Sequence, residues 1–205
     1  AQGIRFRPHF KTHQSAEVGE WFRNEGIAAI TVSSVRMAEY FADAGWDDIL
    51  VAFPANVREL PAMNALARRV RLGLLVESPF ALAAVATGID LPIDIWLETD
   101  TGYQRSGLPV TADEGSARPF AELCAIAQQY PHITVRGFVS HSGHSYGYTQ
   151  QGKTLDALFD ETIGLLKLLQ GRLAALGYTN LEISLGDTPM ASVVANLQGA
   201  DELRP

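Results

Sequence analysis

One lysine near the start of the chain stands where it could do chemistry. In the segment RFRPHFKTHQS, residues 5–15, Lys11 lies between His9 and His13, and the chain has three lysines against thirteen arginines. A lysine in a partly desolvated pocket can act as an amine nucleophile, a Schiff-base former or a proton-transfer base. Strand alternation would turn Lys11 and both histidines to one side. Two histidines alone make an incomplete metal site, and a solvated strand edge is the alternative.

A second segment, ETDTGYQRSGL at residues 98–108, ends an apolar run with acidic and hydroxyl groups. It turns at Gly102 and then presents Arg105. The guanidinium group is always charged and binds oxygen with fixed geometry. Arg105 therefore either pairs with a nearby carboxylate or binds an anionic oxygen of a ligand.

The segment FVSHSGHSYGY, residues 138–148, crowds histidines, serines and tyrosines into a glycine-containing loop after a strand. Such a loop suits a binding site better than a mere connection, although a hydrogen-bonded surface loop has the same composition. The serines do not form a G-x-S-x-G nucleophile elbow, so a serine hydrolase is not supported.

A fourth segment, SLGDTPMAS at residues 184–192, has the pattern strand, glycine turn, then helix start with Pro189 in the first turn. Backbone N–H groups at 186–188 and the Thr188 hydroxyl would suit a phosphate. It is not a P-loop, because no Gly-Lys-Ser/Thr follows, and a plain turn is the alternative.

Alternating strands and helices must position these segments. Apolar, β-branched runs predict strands at Ile4–Phe10, Ala28–Ser33, Asp48–Phe53, Leu72–Glu77, Asp94–Thr99, Thr134–Ser140 and Leu181–Leu185. Three-and-four spacing of apolar residues predicts helices at Ala16–Asn24, Val35–Ala44, Val57–Arg68, Phe80–Thr87, Arg118–Gln129 and Thr154–Leu176.

This order indicates a mainly parallel α/β sheet, either an open doubly wound sheet or a (β/α)8 TIM-type barrel. The unusual polar residues follow the carboxyl ends of many strands. In a barrel they would converge on one mouth, whereas an open sheet would spread them along an edge. We therefore expect a barrel, incomplete in this chain by at least one strand.

Composition narrows the class of protein. The 205 residues are 47% hydrophobic and 19% charged, with a net charge of −7, which argues against nucleic acid or an anionic membrane as a partner. The single cysteine, Cys124, excludes an internal disulfide and lies in a helical apolar pattern, so it reads as a core residue. Neither a signal peptide nor a transmembrane run is evident, and we expect a cytoplasmic protein.

A lysine amine, an arginine, an imidazole–aromatic cluster and a phosphate turn are together the parts of a pyridoxal 5′-phosphate site. The segments RPHFKTH, DTGYQRSGL, GFVSHSGHSYG and SLGDTP resemble the barrel of the fold-type III pyridoxal-phosphate enzymes, the alanine racemase N-terminal-domain-like proteins. Within that group they resemble the D-serine dehydratase and D-threonine aldolase branch. The resemblance runs from residue 4 to about residue 190.

The resemblance implies that Lys11 forms the Schiff base with the cofactor. It implies that Arg105 approaches the cofactor's ring oxygen. Beside a cofactor-bound Lys11, we expect His9 and His13 to be neighbours that tune and position the lysine rather than metal ligands. Two positions depart from the pattern: Gln14 stands where relatives commonly have a second lysine, and Ser140 where an aromatic residue is frequent.

The resemblance also places His141 beside the pyridine ring and Tyr146 in the cofactor pocket. It matches the phosphate-binding turn to Gly186, Asp187 and Thr188. Residues 1–190 would form the cofactor-binding barrel, without the family's opening strand. Residues 191–205 would be a tail leading to a C-terminal β-domain outside this chain.

The activity implied is that of a lyase acting on D-3-hydroxy amino acids, first of all D-serine dehydratase. D-threonine aldolase-type cleavage, racemisation and cofactor binding without turnover are the alternatives. A further alternative is a phosphate-binding barrel enzyme that uses Lys11 in another Schiff base. A divalent metal, Zn or Mn, would be held by the C-terminal domain, with no ligand in this chain. The small-molecule substrate would be the partner, and the whole protein a homodimer.

Overall fold

The computed structural model describes residues 3–205 and shows a parallel barrel surrounded by helices. Its strands are β1 (Arg5–Phe6), β2 (Ala29–Val32), β3 (Asp48–Pro54), β4 (Arg71–Val76), β5 (Ile93–Asp100), β6 (Leu108–Pro109), β7 (Ile133–His141), β8 (Glu182–Gly186) and β9 (Glu202–Leu203). Its α-helices are α1 (Ala16–Asn24), α2 (Val35–Asp43), α3 (Leu60–Ala67), α4 (Pro79–Gly88), α5 (Arg118–Ala127), α6 (Leu155–Ala175) and α7 (Thr188–Val193). Short 3₁₀ helices cover Val57–Glu59, Glu114–Ala117 and Gly143–Gln151.

Eight of the strands form a ring in the order β1-β9-β8-β7-β5-β4-β3-β2, with β6 paired to β5 outside it. Every pair is parallel. The ring closes through a parallel bridge between His9, just after β1, and Thr31 in β2. The backbone N–H of Phe10 donates to Thr31 O at 2.8 Å, and that of Thr31 donates to Pro8 O at 2.9 Å.

The expected (β/α)8 barrel class is confirmed, with one difference. The strand position expected to be empty is filled by β9, which lies in the segment that sequence patterns presented as a tail. Its Glu202 pairs with Arg5 of β1 and with Ser184 of β8. A two-residue strand has too few residues for an alternation pattern, so only its neighbours define it.

Capping side chains explain why helices begin where strands have just ended. Ser15, Ser34, Ser78, Thr154 and Asp187 each accept a hydrogen bond from the backbone N–H three residues later. Such caps satisfy donors that have no partner within the helix. Four of the five follow a strand end or its short turn, which keeps the loops at that mouth of the barrel short.

The helices bury apolar faces against the outside of the barrel. On α6, the residues buried against the barrel are Leu155, Leu158, Phe159, Thr162, Leu166, Leu169 and Leu173. Cys124 is also buried, and burial raises the pKa of its thiol to about 11. The cysteine is therefore a core residue, as expected.

Inside the barrel, Leu50, Leu75, Trp96 and Val139 form a separate buried cluster. It lies between two cavities, since Leu50 and Trp96 line one and Leu75 and Val139 line the other. Among residues 3–205, no helix combines the length and apolar character needed to cross a lipid bilayer.

Candidate active site

One cavity of about 230 Å³ opens at the carboxyl ends of the strands. This volume suits a small ligand, being somewhat below the roughly 300–1,000 Å³ of drug-sized sites. All eight residues singled out from the sequence line it: His9, Lys11, Arg105, His141, Tyr146, Gly186, Asp187 and Thr188. The barrel has thus brought together four segments that are up to 179 residues apart in the chain, from His9 to Thr188.

Lys11 lies in the tight turn that follows the closing bridge, not within a strand. Burial lowers the pKa of its amine, and the positive charges of Arg105 and Arg204 lower it further. The Gln14 side-chain amide donates to the Lys11 carbonyl at 3.0 Å, with Gln14 itself at a φ of 47°. The glutamine at this position therefore shapes the turn that carries the lysine.

The two histidines flanking Lys11 point to different places. His9 faces the cavity, and its Nδ1 accepts the Lys11 backbone N–H at 3.3 Å. Burial, and then the charge of Lys11, lower the pKa of His9 to about 3. His13 packs instead on Phe10 and Phe22, with ring centroids at 4.4 and 5.7 Å. The expectation that alternation turns all three to one side is wrong for His13, because the chain turns after the bridge.

Arg105 is exposed at the apex of the loop between β5 and β6. Its guanidinium carbon lies 5.4 Å from the centroid of the Tyr103 ring. Among residues 3–205 it makes no ion pair. Of the two sequence-based interpretations of Arg105, pairing with a nearby carboxylate is therefore not observed.

His141 ends β7 and reaches across to β8. Its Nδ1 donates to the Gly186 carbonyl, which leaves Nε2 as the acceptor in the neutral ring. Burial lowers the pKa of His141 to about 4, against the opposing effect of that hydrogen bond. The imidazole therefore stays neutral near pH 7, with Nε2 able to accept a hydrogen bond.

The turn after β8 carries the predicted phosphate site. The Asp187 carboxylate accepts the Met190 N–H at 2.7 Å and so caps α7, while Thr188 is exposed to the cavity. Burial raises the pKa of Asp187. Asp187 thus holds the turn, and Thr188 is the side chain left to meet a ligand. Tyr146, 65% exposed, lies at the cavity rim on the 3₁₀ helix.

Sequence reasoning missed Arg204, which lines the floor of the cavity directly after β9. It is 5% exposed, and its Nε donates to Ser184 Oγ at 2.7 Å. Its Nη2 donates to Ser140 O at 3.1 Å. Burial lowers the pKa of its guanidinium to about 10. The sequence ELRP carries no local signal for Arg204, because β9 has only two residues and is defined by the strands it pairs with.

These groups fit pyridoxal phosphate. Lys11, Arg105 and Arg204 gather three positive charges around one cavity, and none forms an ion pair within residues 3–205. Unpaired cations in a partly desolvated site favour a multiply charged anion. A primary amine of lowered pKa beside them suits the aldehyde of that cofactor.

Known proteins resemble this chain in sequence and in fold. The family model described as alanine racemase, N-terminal domain, matches residues 2–205. A D-threo-3-hydroxyaspartate dehydratase from Delftia sp. (strain HT23) is 36% identical over 211 residues, covering 100% of this chain and 53% of the relative. A solved structure of that dehydratase superposes with a TM-score of 0.86 at 31% identity, covering 99% of this chain and 53% of that one.

A D-serine dehydratase from Dictyostelium discoideum is 27% identical over 220 residues, covering 99% of this chain and 55% of the relative. A 3-hydroxy-D-aspartate aldolase from Paracoccus denitrificans (strain Pd 1222) is 29% identical over 168 residues, covering 77% and 41%. The chain thus spans about half the length of the relatives it matches. It belongs to the alanine racemase N-terminal domain family, the barrel of the fold-type III pyridoxal-phosphate enzymes.

Proposed function

We propose that the protein to which this barrel belongs is a pyridoxal-phosphate-dependent lyase acting on D-3-hydroxy amino acids. The observation that carries the proposal is the Lys11 amine, of lowered pKa, beside the unpaired cations Arg105 and Arg204 in one cavity. The relatives named above support the substrate class, since each acts on a D-amino acid with a hydroxyl at Cβ.

Each cavity residue has a task in this proposal. Lys11 would hold the cofactor through its amine, and its Nζ would be the group that takes the Cα proton of the substrate. Arg105 would bind an anionic oxygen of the cofactor, and Thr188 with the backbone at Gly186 its phosphate. His141, held by its Nδ1 donor, would contact the bound ring. Bound pyridoxal phosphate supplies an electron sink for negative charge at Cα.

We infer dehydration as the reaction. Loss of the Cα proton and the β-hydroxyl, followed by hydrolysis, would convert D-serine to pyruvate and ammonia. D-threo-3-hydroxyaspartate, which would give oxaloacetate and ammonia, is a second candidate substrate, supported by the 36% identity to the Delftia dehydratase. D-serine stays our first substrate because GHSY and GDTP resemble that branch.

The test uses the natural gene product, purified with and without added pyridoxal phosphate. We expect a visible absorbance band that is lost on borohydride treatment and does not form in Lys11→Ala. Lys167→Ala, at an exposed lysine on α6, is the matched control and should keep the band. Failure of the wild-type protein to show the band after reconstitution would overturn the proposal.

Product analysis then separates the reactions. We expect ammonia and a keto acid from D-serine or D-threo-3-hydroxyaspartate. Glycine from D-threonine would instead favour the aldolase alternative, which the Paracoccus relative supports, and inversion at Cα would favour a racemase. Tight cofactor binding with none of these products would favour a binding protein.

We further propose that a divalent metal, Zn or Mn, polarises the β-hydroxyl from outside this barrel. Within residues 3–205, no group of three or more His, Cys, Asp or Glu side chains could hold a metal ion. A C-terminal β-domain in the whole protein, working in a homodimer, would supply the ligands. Chelation should then abolish ammonia release while the visible band stays.

A further inference from the structure

We propose that Glu77 and Glu98 share one proton and together hold Ser106 and Gly107, so that Arg105 is presented to the cavity. Both are positioning residues that act through the loop. The claim that they position a cofactor-binding arginine rests on the proposed function, whereas the shared proton does not.

The two carboxyl groups lie side by side at the carboxyl ends of neighbouring strands. Val76, the last residue of β4, is in register with Leu97 of β5. The residues that follow them, Glu77 and Glu98, are therefore neighbours across the two strands. Glu98 is 6% exposed and lines the cavity. Its Oε2 is buried and accepts no hydrogen bond from the described residues.

Each carboxyl group accepts a hydrogen bond from one of two consecutive loop residues. The Ser106 hydroxyl donates to Glu98 Oε1 at 2.7 Å, and the Gly107 backbone N–H donates to Glu77 Oε2 at 2.7 Å. Arg105 directly precedes these two anchors. Because the anchors are consecutive, they determine where the loop apex points.

The rest of the loop is constrained to match. Asp100 accepts the backbone N–H groups of Gly102 at 2.8 Å and Gln104 at 3.0 Å. Gly107 has a φ of +97°, and a Cβ there would lie 2.8 Å from the backbone carbon of Thr99. The loop therefore returns tightly over β5, and a displaced anchor would move Arg105 as well.

The buried carboxylate of Glu98 and the half-buried carboxylate of Glu77 beside it cannot both stay ionised at low cost. Burial raises the pKa of Glu98, which the Ser106 hydroxyl opposes, and Glu77 raises it further by repulsion and by a side-chain hydrogen bond. A proton between the two would satisfy the bare Oε2. Two cations face Glu98: Arg105 in the loop and Arg204 directly after β9. Their positive charges disfavour a second proton on the pair, so the two carboxyl groups together carry a net charge of −1.

Infrared spectroscopy of protein carrying ¹³C-labelled glutamate tests the shared proton without cofactor. We expect a protonated glutamate carbonyl band at neutral pH in the wild type and in the exposed-site control Glu17→Gln. Glu98→Gln and Glu77→Gln should each remove it, because the amide can donate to the remaining carboxylate. Absence of the band in the wild type, or its persistence in both variants, would overturn the inference.

Hydrogen exchange and cofactor titration test the positioning role. Glu98→Ala should speed amide exchange in residues 101–107 and weaken pyridoxal phosphate binding roughly tenfold. Glu98→Gln keeps a neutral donor and acceptor and should stay within about threefold of wild type. If Glu98→Gln were as defective as Glu98→Ala, Glu98 would act by its charge on the ligand and the inference would fail. A protein that binds no cofactor but shows the band and the exchange change would refute the proposed function alone.

Discussion

Lys11 shows how neighbours set the chemistry of a single residue. Its side chain is exposed enough to meet a ligand. Partial burial of the amine, together with the positive charges of two nearby guanidinium groups, nevertheless disfavours its charged form. Removing one of those charges should make the ammonium form easier to keep.

Arg105→Gln should therefore raise the pKa of Lys11. Reductive ¹³C-methylation gives one signal for each lysine, and the chain has three, so the pKa can be read by NMR titration. Lys153→Arg and Lys167→Arg assign the signals. The matched control is Arg68→Gln, at an exposed arginine outside the cavity. An unchanged or lower Lys11 pKa in Arg105→Gln would contradict the electrostatic account.

The cavity histidines predict the response to acid. His9 and His141 have folded-state pKa values of about 3 and about 4, against roughly 6.5 when unfolded. The unfolded chain thus binds more protons below pH 6.5, and stability falls as pH drops from 6.5 towards 4. Each histidine adds at most about 1.4 kcal/mol per pH unit.

Urea unfolding between pH 7 and pH 4.5 checks this prediction. His9→Asn should have a flatter dependence of the unfolding free energy on pH, since asparagine does not titrate. Gln129→Asn, on the surface, should follow the wild type. A wild-type slope that His9→Asn and His141→Asn leave unchanged would contradict it.

At the scale of elements, the turns between strands and helices position the polar side chains of the candidate site. Long elements with clear periodicity, such as α6, are found within one or two residues of the prediction. The first strand is not: it was expected at Ile4–Phe10 and pairs regularly over two residues only. The polar turn residues that follow these elements lie at the cavity because parallel strands share one carboxyl end.

Asp187→Ala removes a helix cap and should lower the unfolding free energy by about 1 kcal/mol. It should also displace Thr188 and weaken pyridoxal phosphate binding. Thr154→Ala removes the corresponding cap of α6, at a residue that does not line the cavity, and should lower stability similarly without affecting binding. Asp187→Asn can still cap and should restore both properties. Equal binding in Asp187→Ala and Thr154→Ala would contradict a role for this turn in the site.

At the scale of the whole molecule, side chains of alternating charge form a network of ion pairs between strands at the mouth opposite the candidate site. Arg7 lies at its centre, with Nη1 2.7 Å from Asp48 and Nε 2.9 Å from Glu202. It joins the start of the ring to β3 and β9. The connected ion pairs run through Glu182, Arg5, Glu202, Arg7, Asp48, Arg71, Asp94 and Arg136.

Arg7→Met should lower the unfolding free energy by about 3–5 kcal/mol, because it leaves the buried Glu202 without its closest cation. Arg68→Met, which loses an exposed pair with Asp90 at 3.4 Å, should cost less than about 1 kcal/mol. Urea unfolding measures both. A loss below 1 kcal/mol for Arg7→Met would show that the network does not close the barrel.

The sequence by itself determined the strand and helix order, the polar residues at strand ends and the family resemblance, because periodicity and motif spacing are local properties. Only the tertiary structure decided that β9 completes the ring and that Arg204 reaches the cavity. It also decided that His13 turns into the core and that Glu77 lies beside Glu98. These facts depend on strand register and ring closure, which bring together residues far apart in the chain and leave no local pattern.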